Sequence, residues 1–192
     1  MITLENVIIS SLLSEGEIIL SVDNTYKLQT PFKSSKWEFV SKYLDTEEMK
    51  YCTYNTIKQQ LEVTHLSLET FYNLWYQDNI KIFSNRVNTS FLTIDNITLF
   101  IVLYGERKLE HIMIETSVKK EHQLVLCHSL SIVLKTAIVP GNFSVKILDI
   151  TRFIVQIVQK QPLYYSSELL RFLFPNELKN IQFEKREKDY DY

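Results

Sequence analysis

Glycine and proline are scarce in this chain, which holds three glycines and four prolines among 192 residues. A phosphate-binding P-loop and a dinucleotide-binding turn both need clustered glycines, because backbone amides must approach the phosphate closely. The glycines here, Gly16, Gly105 and Gly141, lie far apart in the sequence. This spacing excludes both nucleotide-binding motifs.

Reactive side chains are also few and scattered. The two cysteines, Cys52 and Cys127, have no CxxC partner, whereas a secreted domain of this size usually carries several paired cysteines. Cys127 is next to His128, but neighbouring residues on a helix point about 100° apart, so we interpret Cys127 as a core residue. No histidine pair has the i, i+4 spacing of a helical metal site. The sequence therefore predicts no catalytic residue, no metal site and no cofactor.

Neither basic charge nor a long apolar run stands out. Lysine and arginine number 21 against 23 acidic residues, a formal net charge of −2. A protein that binds duplex nucleic acid through phosphate contacts usually shows a basic stripe. No such stripe is visible, so the sequence carries no clear nucleic-acid signature. The most apolar stretch, residues 124–139, contains His128 and Lys135 and is shorter than the roughly 18 residues of a membrane span. With no signal peptide visible, we expect an intracellular protein, cytoplasmic or nuclear.

The first half of the chain predicts strands followed by helices. Two apolar, β-branched runs, residues 2–13 and 17–22, are split by Ser14-Glu15-Gly16 and predict a β-hairpin. N-cap residues and apolar periodicity then predict helices. These helices are expected over about 34–44, over 51–61 and after Ser67.

The second half predicts a β-meander and closing helices. Strands are expected over 91–94, 97–104 and 109–118, and helices over about 121–136, 145–159 and 166–174. Strands and helices are segregated along the chain rather than alternating, which favours the α+β class. The expected order is N-terminal strands and helices, then a β-meander and closing helices.

A change of composition near residues 80–90 indicates a boundary. We predict an N-terminal region over 1–90, a C-terminal region over 91–178 and a charged, frayed tail over 179–192. No linker rich in proline or glycine separates the two regions. A single continuous domain is therefore the alternative.

An aromatic cluster on the helix after Ser67 is a candidate docking face. Tyr72, Trp75 and Tyr76 belong to this cluster, and aromatic residues are enriched in the cores of protein interfaces. The alternative is a helix that packs its aromatic side chains on its own sheet. Tyr72 and Tyr76 lie off the main apolar stripe, so they are the better interface candidates. We predict these three residues as partner-binding.

The end of the chain shows a helix, a proline turn and a last short helix. The order of segments is Phe153-Ile154-Val155-Gln156-Ile157-Val158, Gln161-Pro162-Leu163 and Ser166-Ser167-Glu168-Leu169-Leu170-Arg171-Phe172-Leu173, preceded by the loop Val139-Pro140-Gly141-Asn142-Phe143. With the strands expected over 97–104 and 109–118, residues 94–178 resemble a degenerate phox-homology (PX) domain. That family is a phosphoinositide-binding module.

The resemblance implies a phosphoinositide site on a membrane surface. Lys119-Lys120-Glu121-His122 takes the place of the family's basic-aromatic motif. Lys119 and Lys120 then stand where the family has a phosphate-gripping arginine, and Lys146 stands for a later arginine. Arginine's planar fork suits phosphate better than the point charge of lysine, so these positions depart from the family pattern.

Three functional hypotheses follow. The absence of grouped reactive residues predicts a non-catalytic adaptor or subunit of an intracellular complex, with protein partners and no enzymatic activity. The PX resemblance implies the alternative, a peripheral membrane protein that binds phosphoinositides in vesicle trafficking. The third is an enzyme whose site the sequence does not reveal, and a deep pocket with convergent polar groups would support it.

Overall fold

The structure is a computed structural model and describes residues 1–83, 91–158 and 163–179. Its first half contains α1 (Leu4–Leu13), β1 (Glu17–Leu20), β2 (Tyr26–Pro31), α2 (Ser34–Tyr43), α3 (Thr46–Met49), β3 (Cys52–Asn55), β4 (Gln60–Val63), α4 (Leu68–Trp75), β5 (Tyr76–Gln77) and β6 (Ile80–Lys81). Its second half contains α5 (Ile94–Tyr104), β7 (Glu106–Arg107), β8 (Ile112–Glu115), α6 (Lys120–Leu134), β9 (Ile138–Pro140), β10 (Ser144–Ile147), α7 (Ile150–Val158) and α8 (Leu163–Leu170). The predicted α+β class is confirmed.

Helix α1 replaces the first strand of the predicted hairpin. Thr3 starts it with a capping box, in which its hydroxyl accepts from the Asn6 amide and the Asn6 side chain accepts from the Thr3 amide. Most of the helix is buried on all sides. A continuous apolar run is typical of a buried strand and of a buried helix alike. The strand prediction over residues 2–13 is wrong, because the Thr3 capping box starts a helix there.

The same ambiguity explains the error over residues 97–104. This segment was expected to be a strand, but it belongs to helix α5. Thr93 caps the helix by accepting from the amide of Asn96. All residues from Asn96 to Leu103 are buried, so the apolar run shows no amphipathic stripe that would distinguish the helix.

Helices α1 and α5 pack against each other in the centre of the molecule. The Asn6 side chain donates to the side chain of Asn96. Each asparagine lies three residues after the threonine that caps its helix. The two helices therefore meet through equivalent positions, and both run towards the same end of the molecule.

The two halves repeat one topology that the sequence does not reveal. Apart from the short helix α3, the small hairpin β5–β6 and the last helix α8, each half has the order helix, hairpin, helix, hairpin, helix. The sheet orders are β1-β2-β4-β3 and β7-β8-β10-β9, and all neighbouring strands are antiparallel. Hence the chain is built from two related α/β units around the α1–α5 pair.

Several other predictions can be compared with the structure. The helices expected near α2, α4, α6 and α8 are confirmed, as is a strand within 109–118. The helix expected over 51–61 is wrong, because the antiparallel strands β3 and β4 occupy it. The helix expected over 145–159 begins too early, since Val145 and Ile147 alternate with the less buried Lys146 in strand β10.

One hydrophobic core joins the two halves, because buried side chains from both belong to a single cluster. The repeat divides between β6 and α5, close to the predicted boundary at residue 90. Whether 1–90 and 91–178 behave as separate domains stays a prediction, and the tail predicted over 179–192 lies outside the described residues except for its first. In the described part of the chain, no helix is long and apolar enough to cross a membrane.

We expect Thr93→Ala to lower the free energy of unfolding by about 1 kcal/mol, because the cap of a buried helix is lost. Urea denaturation followed by circular dichroism measures this. Ser35→Ala, at an exposed position of α2, is the control and should shift stability by less than about 0.5 kcal/mol. Equal effects of both changes would contradict the importance of the cap.

Candidate functional site

The C-terminal ends of α1 and α5 open into one cavity of about 390 Å³. Both halves contribute to its walls. The charged residues that line it are Glu15, Glu106, Glu115, Lys33, Lys36 and Lys58. Tyr104, Pro31 and Phe32 form its other side. The cavity is thus a polar depression at the point where the two buried helices end.

A glycine turns the chain sharply at each helix end. A side-chain carbon on Gly16 would lie 2.6 Å from the carbonyl oxygen of Ser11, and one on Gly105 would lie 2.5 Å from that of Ile101. Both distances are too short for any larger residue. The turns place Glu15 and Tyr104, which directly precede the glycines, at the rim of the cavity.

Two carboxyl groups meet on one side of the cavity. Glu15 follows α1 in the first half and Glu115 ends β8 in the second, and both line the cavity, close enough for Glu115 to affect the pKa of Glu15. Burial and the Glu115 charge raise the pKa of Glu15, while Lys81 opposes the shift. Because two carboxylates repel, a cation between the two carboxyl groups would be favourable.

Lys81 is buried and lies near the carboxylates of Glu17 and Glu15. Its Nζ donates to the carbonyl of Ser14 over 2.8 Å, to that of Gly16 over 2.7 Å and to the hydroxyl of Ser117 over 2.7 Å. The carbonyls at a helix C-terminus lack partners within the helix, so the lysine satisfies them. Burial lowers the pKa of Lys81 to about 7, although nearby carboxylates counteract this.

Strand β8 and the residues after it hold the end of α1 in place. The Ser14 hydroxyl donates to the carbonyl of Glu115 over 2.9 Å, and the Thr116 hydroxyl donates to the carbonyl of Leu13 over 2.7 Å. These groups come from opposite halves of the chain. The Glu15–Glu115 pair is therefore a composite site that exists only when both halves are packed together.

The end of α5 is held differently. The Tyr104 hydroxyl is within hydrogen-bonding distance of the hydroxyls of Ser11, at 2.7 Å, and Thr30, at 3.2 Å. Burial raises the pKa of Tyr104 to about 12. Lys36 donates to the carbonyl of Val102 in the last turn of α5, and burial lowers the pKa of this lysine.

The fold has solved counterparts although the sequence has none. No family model matches the chain, and no curated protein matches it in sequence. The structure is similar to the homing endonuclease I-WcaI bound to its DNA recognition sequence, with a TM-score of 0.58, 12% identity, and 90% of this chain and 83% of that chain covered. The chain has the fold of homing endonucleases. It is also similar to I-DmoI in complex with DNA and Ca, with a TM-score of 0.51, 13% identity, and 85% and 95% of the two chains covered. A further similar structure is I-DmoI in complex with DNA and Mn, with a TM-score of 0.50, 16% identity, and 83% and 97% covered.

This fold overturns the functional predictions made from the sequence. The prediction of a non-catalytic adaptor that is not an enzyme is wrong, because the structural neighbours are endonucleases. The prediction of protein partners without a nucleic-acid signature is wrong as well, since those neighbours are complexes with DNA. The PX resemblance is also wrong: residues 97–104 form a helix instead of a meander strand, and the whole chain follows another fold. The phosphoinositide-binding, membrane and transport roles that the PX resemblance implied are therefore wrong as well.

The three lysines assigned to a phosphoinositide site through that resemblance lie outside the cavity. Lys119 occupies the N-cap position of α6 without a capping hydrogen bond and forms an ion pair with Glu121 at 4.0 Å. Lys120 is exposed in the first turn of the same helix. Lys146 lies in the middle of β10, opposite Met113 of β8. None of the three lines the cavity at the helix ends.

The predicted aromatic cluster packs mainly within the chain. Trp75 is fully buried and lies 5.8 Å, ring to ring, from Phe83. Tyr72 and Tyr76 are half-buried and stack on each other at 4.7 Å, and the Tyr76 hydroxyl donates to Glu17. Trp75 is therefore a core residue in this chain, whereas partner binding by Tyr72 and Tyr76 stays a prediction.

Sequence reasoning missed Glu15, Lys81 and Glu115. These residues are far apart in the chain, and no spacing rule joins them. One signal was available: the triplets Glu15-Gly16-Glu17 and Tyr104-Gly105-Glu106 each follow a long apolar run. Two such runs that end in a glycine and a glutamate indicate a repeat, and the glycines mark where both helices stop.

We expect Lys81→Met to lower the free energy of unfolding by about 1 to 3 kcal/mol, because the Gly16 carbonyl loses its lysine donor and the Ser14 carbonyl keeps only its bonds from Ser117. Thermal and urea denaturation measure the change. Lys27→Met, on a half-exposed position of β2, is the matched control and should change stability by less than about 0.5 kcal/mol. A neutral effect of Lys81→Met would show that water replaces the lysine.

Proposed function

We propose that this chain binds duplex DNA and hydrolyses a phosphodiester bond in it. The observation that carries the proposal is the Glu15–Glu115 carboxyl pair, which lies at the meeting point of two repeated sheets. The homing-endonuclease fold supports it, because those neighbours were solved with DNA.

The open faces of the two sheets form the proposed DNA-binding surface. An antiparallel sheet can cover a core with one face and expose polar side chains on the other. In the first sheet the polar face carries Lys27, Gln29, Gln60, Glu62, Thr53 and Asn55. Glutamine and asparagine side chains can pair with adenine edges in the major groove, and two-stranded ribbons fit that groove.

Three lysines line the cavity together with its three glutamates, although the whole chain is slightly acidic. Lys33, Lys36 and Lys58 all line it. Lys33 and Lys58 are exposed and can contact phosphates, whereas Lys36 is held by the carbonyl of Val102. Phosphate contacts position a duplex without reading its sequence, so these lysines are placed to guide the backbone to the carboxyl pair.

The carboxyl pair fits a divalent cation. Mg²⁺ is commonly held by one or two carboxylates together with phosphates of the substrate, and Glu15 and Glu115 supply two carboxylates on an accessible surface. No group of three acidic, histidine or cysteine ligands occurs among residues 1–83, 91–158 and 163–179. When bound there, a cation would supply Lewis-acid stabilisation of negative charge on the phosphate.

The remaining chemistry needs only water as co-reactant. A water oxygen attacks phosphorus, the bond from phosphorus to one deoxyribose oxygen breaks, and that oxygen receives a proton. The products are one phosphate end and one hydroxyl end. Glu15 and Glu115 are placed to orient the water and the phosphate, and Lys81 is a positioning residue because it fixes the carbonyls on both sides of Glu15.

Selection from a library of duplexes with a randomised central segment would identify the preferred DNA. On an enriched duplex, with Mg²⁺ or Mn²⁺ present, we expect cleavage that EDTA abolishes. Glu15→Gln and Glu115→Gln should each reduce the rate at least about 100-fold and leave folding intact. Glu47→Gln, an exposed carboxylate paired with Lys50, is the control and should cleave normally. Cleavage that survives both active-site substitutions would contradict the assignment of this pair.

We also expect Lys33→Gln and Lys58→Gln each to reduce the slope of log affinity against log salt concentration by about one, because each removes one phosphate contact. Fluorescence anisotropy with a labelled duplex measures the slope. Lys50→Gln, at an exposed position directly after the short helix α3, is the matched control. An unchanged slope for both cavity lysines would place the DNA elsewhere on the molecule.

A further inference from the structure

The two sheets correspond residue by residue. The amide of Phe32, directly after β2, donates to the carbonyl of Gln59 over 2.7 Å, and the amide of Thr116, directly after β8, donates to the carbonyl of Phe143 over 3.0 Å. Gln59 and Phe143 are hairpin residues with φ angles of 47° and 53°. Phe32 and Thr116 therefore occupy equivalent positions in the two halves.

The correspondence extends to the first strand of each sheet. Gln29 and Met113 lie three residues before Phe32 and Thr116, so they are equivalent as well. Gln29 pairs with Glu17 of β1, and Met113 pairs with Glu106 of β7. Glu17 and Glu106 are consequently equivalent, and each follows the glycine that ends its helix turn.

The residues at the cavity can now be matched. Glu15 lies two positions before Glu17, and Tyr104 lies two positions before Glu106, so Tyr104 takes the place of Glu15. Directly before Thr116 and Phe32 lie Glu115 and Pro31, so Pro31 takes the place of Glu115. One helix end carries two carboxyl groups, and the other carries a phenol and a proline.

The second helix end offers no substitute for the missing pair. Glu106 lines the cavity, but it forms an ion pair with Lys108 at 2.6 Å, and its counterpart is Glu17 rather than a member of the carboxyl pair. The Tyr104 hydroxyl is engaged by Ser11 and Thr30. Neither a proline nor a hydrogen-bonded phenol binds a divalent cation as a carboxylate does.

Two related halves bind the two half-sites of a duplex, and equivalent positions in the halves then face opposite strands, because the two-fold symmetry of the duplex exchanges its strands. Resting on the proposed function, we propose that the chain cuts one DNA strand and leaves the other intact. The strand that faces Glu15 and Glu115 is hydrolysed as described above. The strand that faces Tyr104 and Pro31 is bound without reaction.

A supercoiled plasmid that carries the selected duplex sequence tests this with Mg²⁺ or Mn²⁺. We expect conversion to the open-circular form without linear plasmid, and denaturing gels of a duplex labelled on either strand should show one cut in one strand. Linear plasmid formed at a comparable rate would overturn single-strand cutting and leave the proposed function standing. Absence of any conversion would contradict both.

Tyr104→Phe tests whether the Tyr104 hydroxyl takes part in cleavage. The change removes the hydroxyl and keeps the ring packed 6.0 Å from Phe32. We expect the single cut to stay in the same strand, whereas Glu15→Gln should reduce the nicking rate at least about 100-fold. Loss of nicking in Tyr104→Phe, in protein that is folded by circular dichroism, would show that the second helix end takes part and would overturn the proposal.

Discussion

The packing of α1 against α5 is the constraint on which the rest of the structure depends. Both helices are buried on nearly all sides, so each needs the other to remove its apolar surface from water. The Asn6–Asn96 hydrogen bond fixes how they pair. Because a sheet begins within a few residues of each helix end, this one contact also sets where both sheets lie and where the cavity opens.

At the ends of the paired helices, backbone carbonyls accept hydrogen bonds from lysine side chains of other elements. Carbonyls at a helix C-terminus are left without partners, and here they are buried. Lys81 satisfies those after α1 and Lys36 one of those in α5. Lys36 also lines the cavity together with its carboxylates, so a side chain that satisfies a folding requirement also contributes to the charge of the site.

The two halves of the chain share one topology but carry different side chains at the cavity. The two halves share strand order, hairpin geometry and the glycine turn, all of which the packing requires. The side chains at the cavity are free of that requirement and differ: Glu15 against Tyr104, and Glu115 against Pro31. The Tyr104 hydroxyl is held by the hydroxyls of Ser11 and Thr30, so it contributes to the packing of the two helix ends.

The sequence by itself determined the α+β class, the amphipathic helices such as α4, and the alternating strand β8, because local periodicity is enough for elements with one buried face. It did not determine α1 and α5, since an apolar run buried on all sides has no periodicity to read. Nor did it determine the candidate site. Glu15, Lys81 and Glu115 come from separate elements, and only the packing of the two halves brings the carboxyl pair and its buried lysine to one end of the molecule.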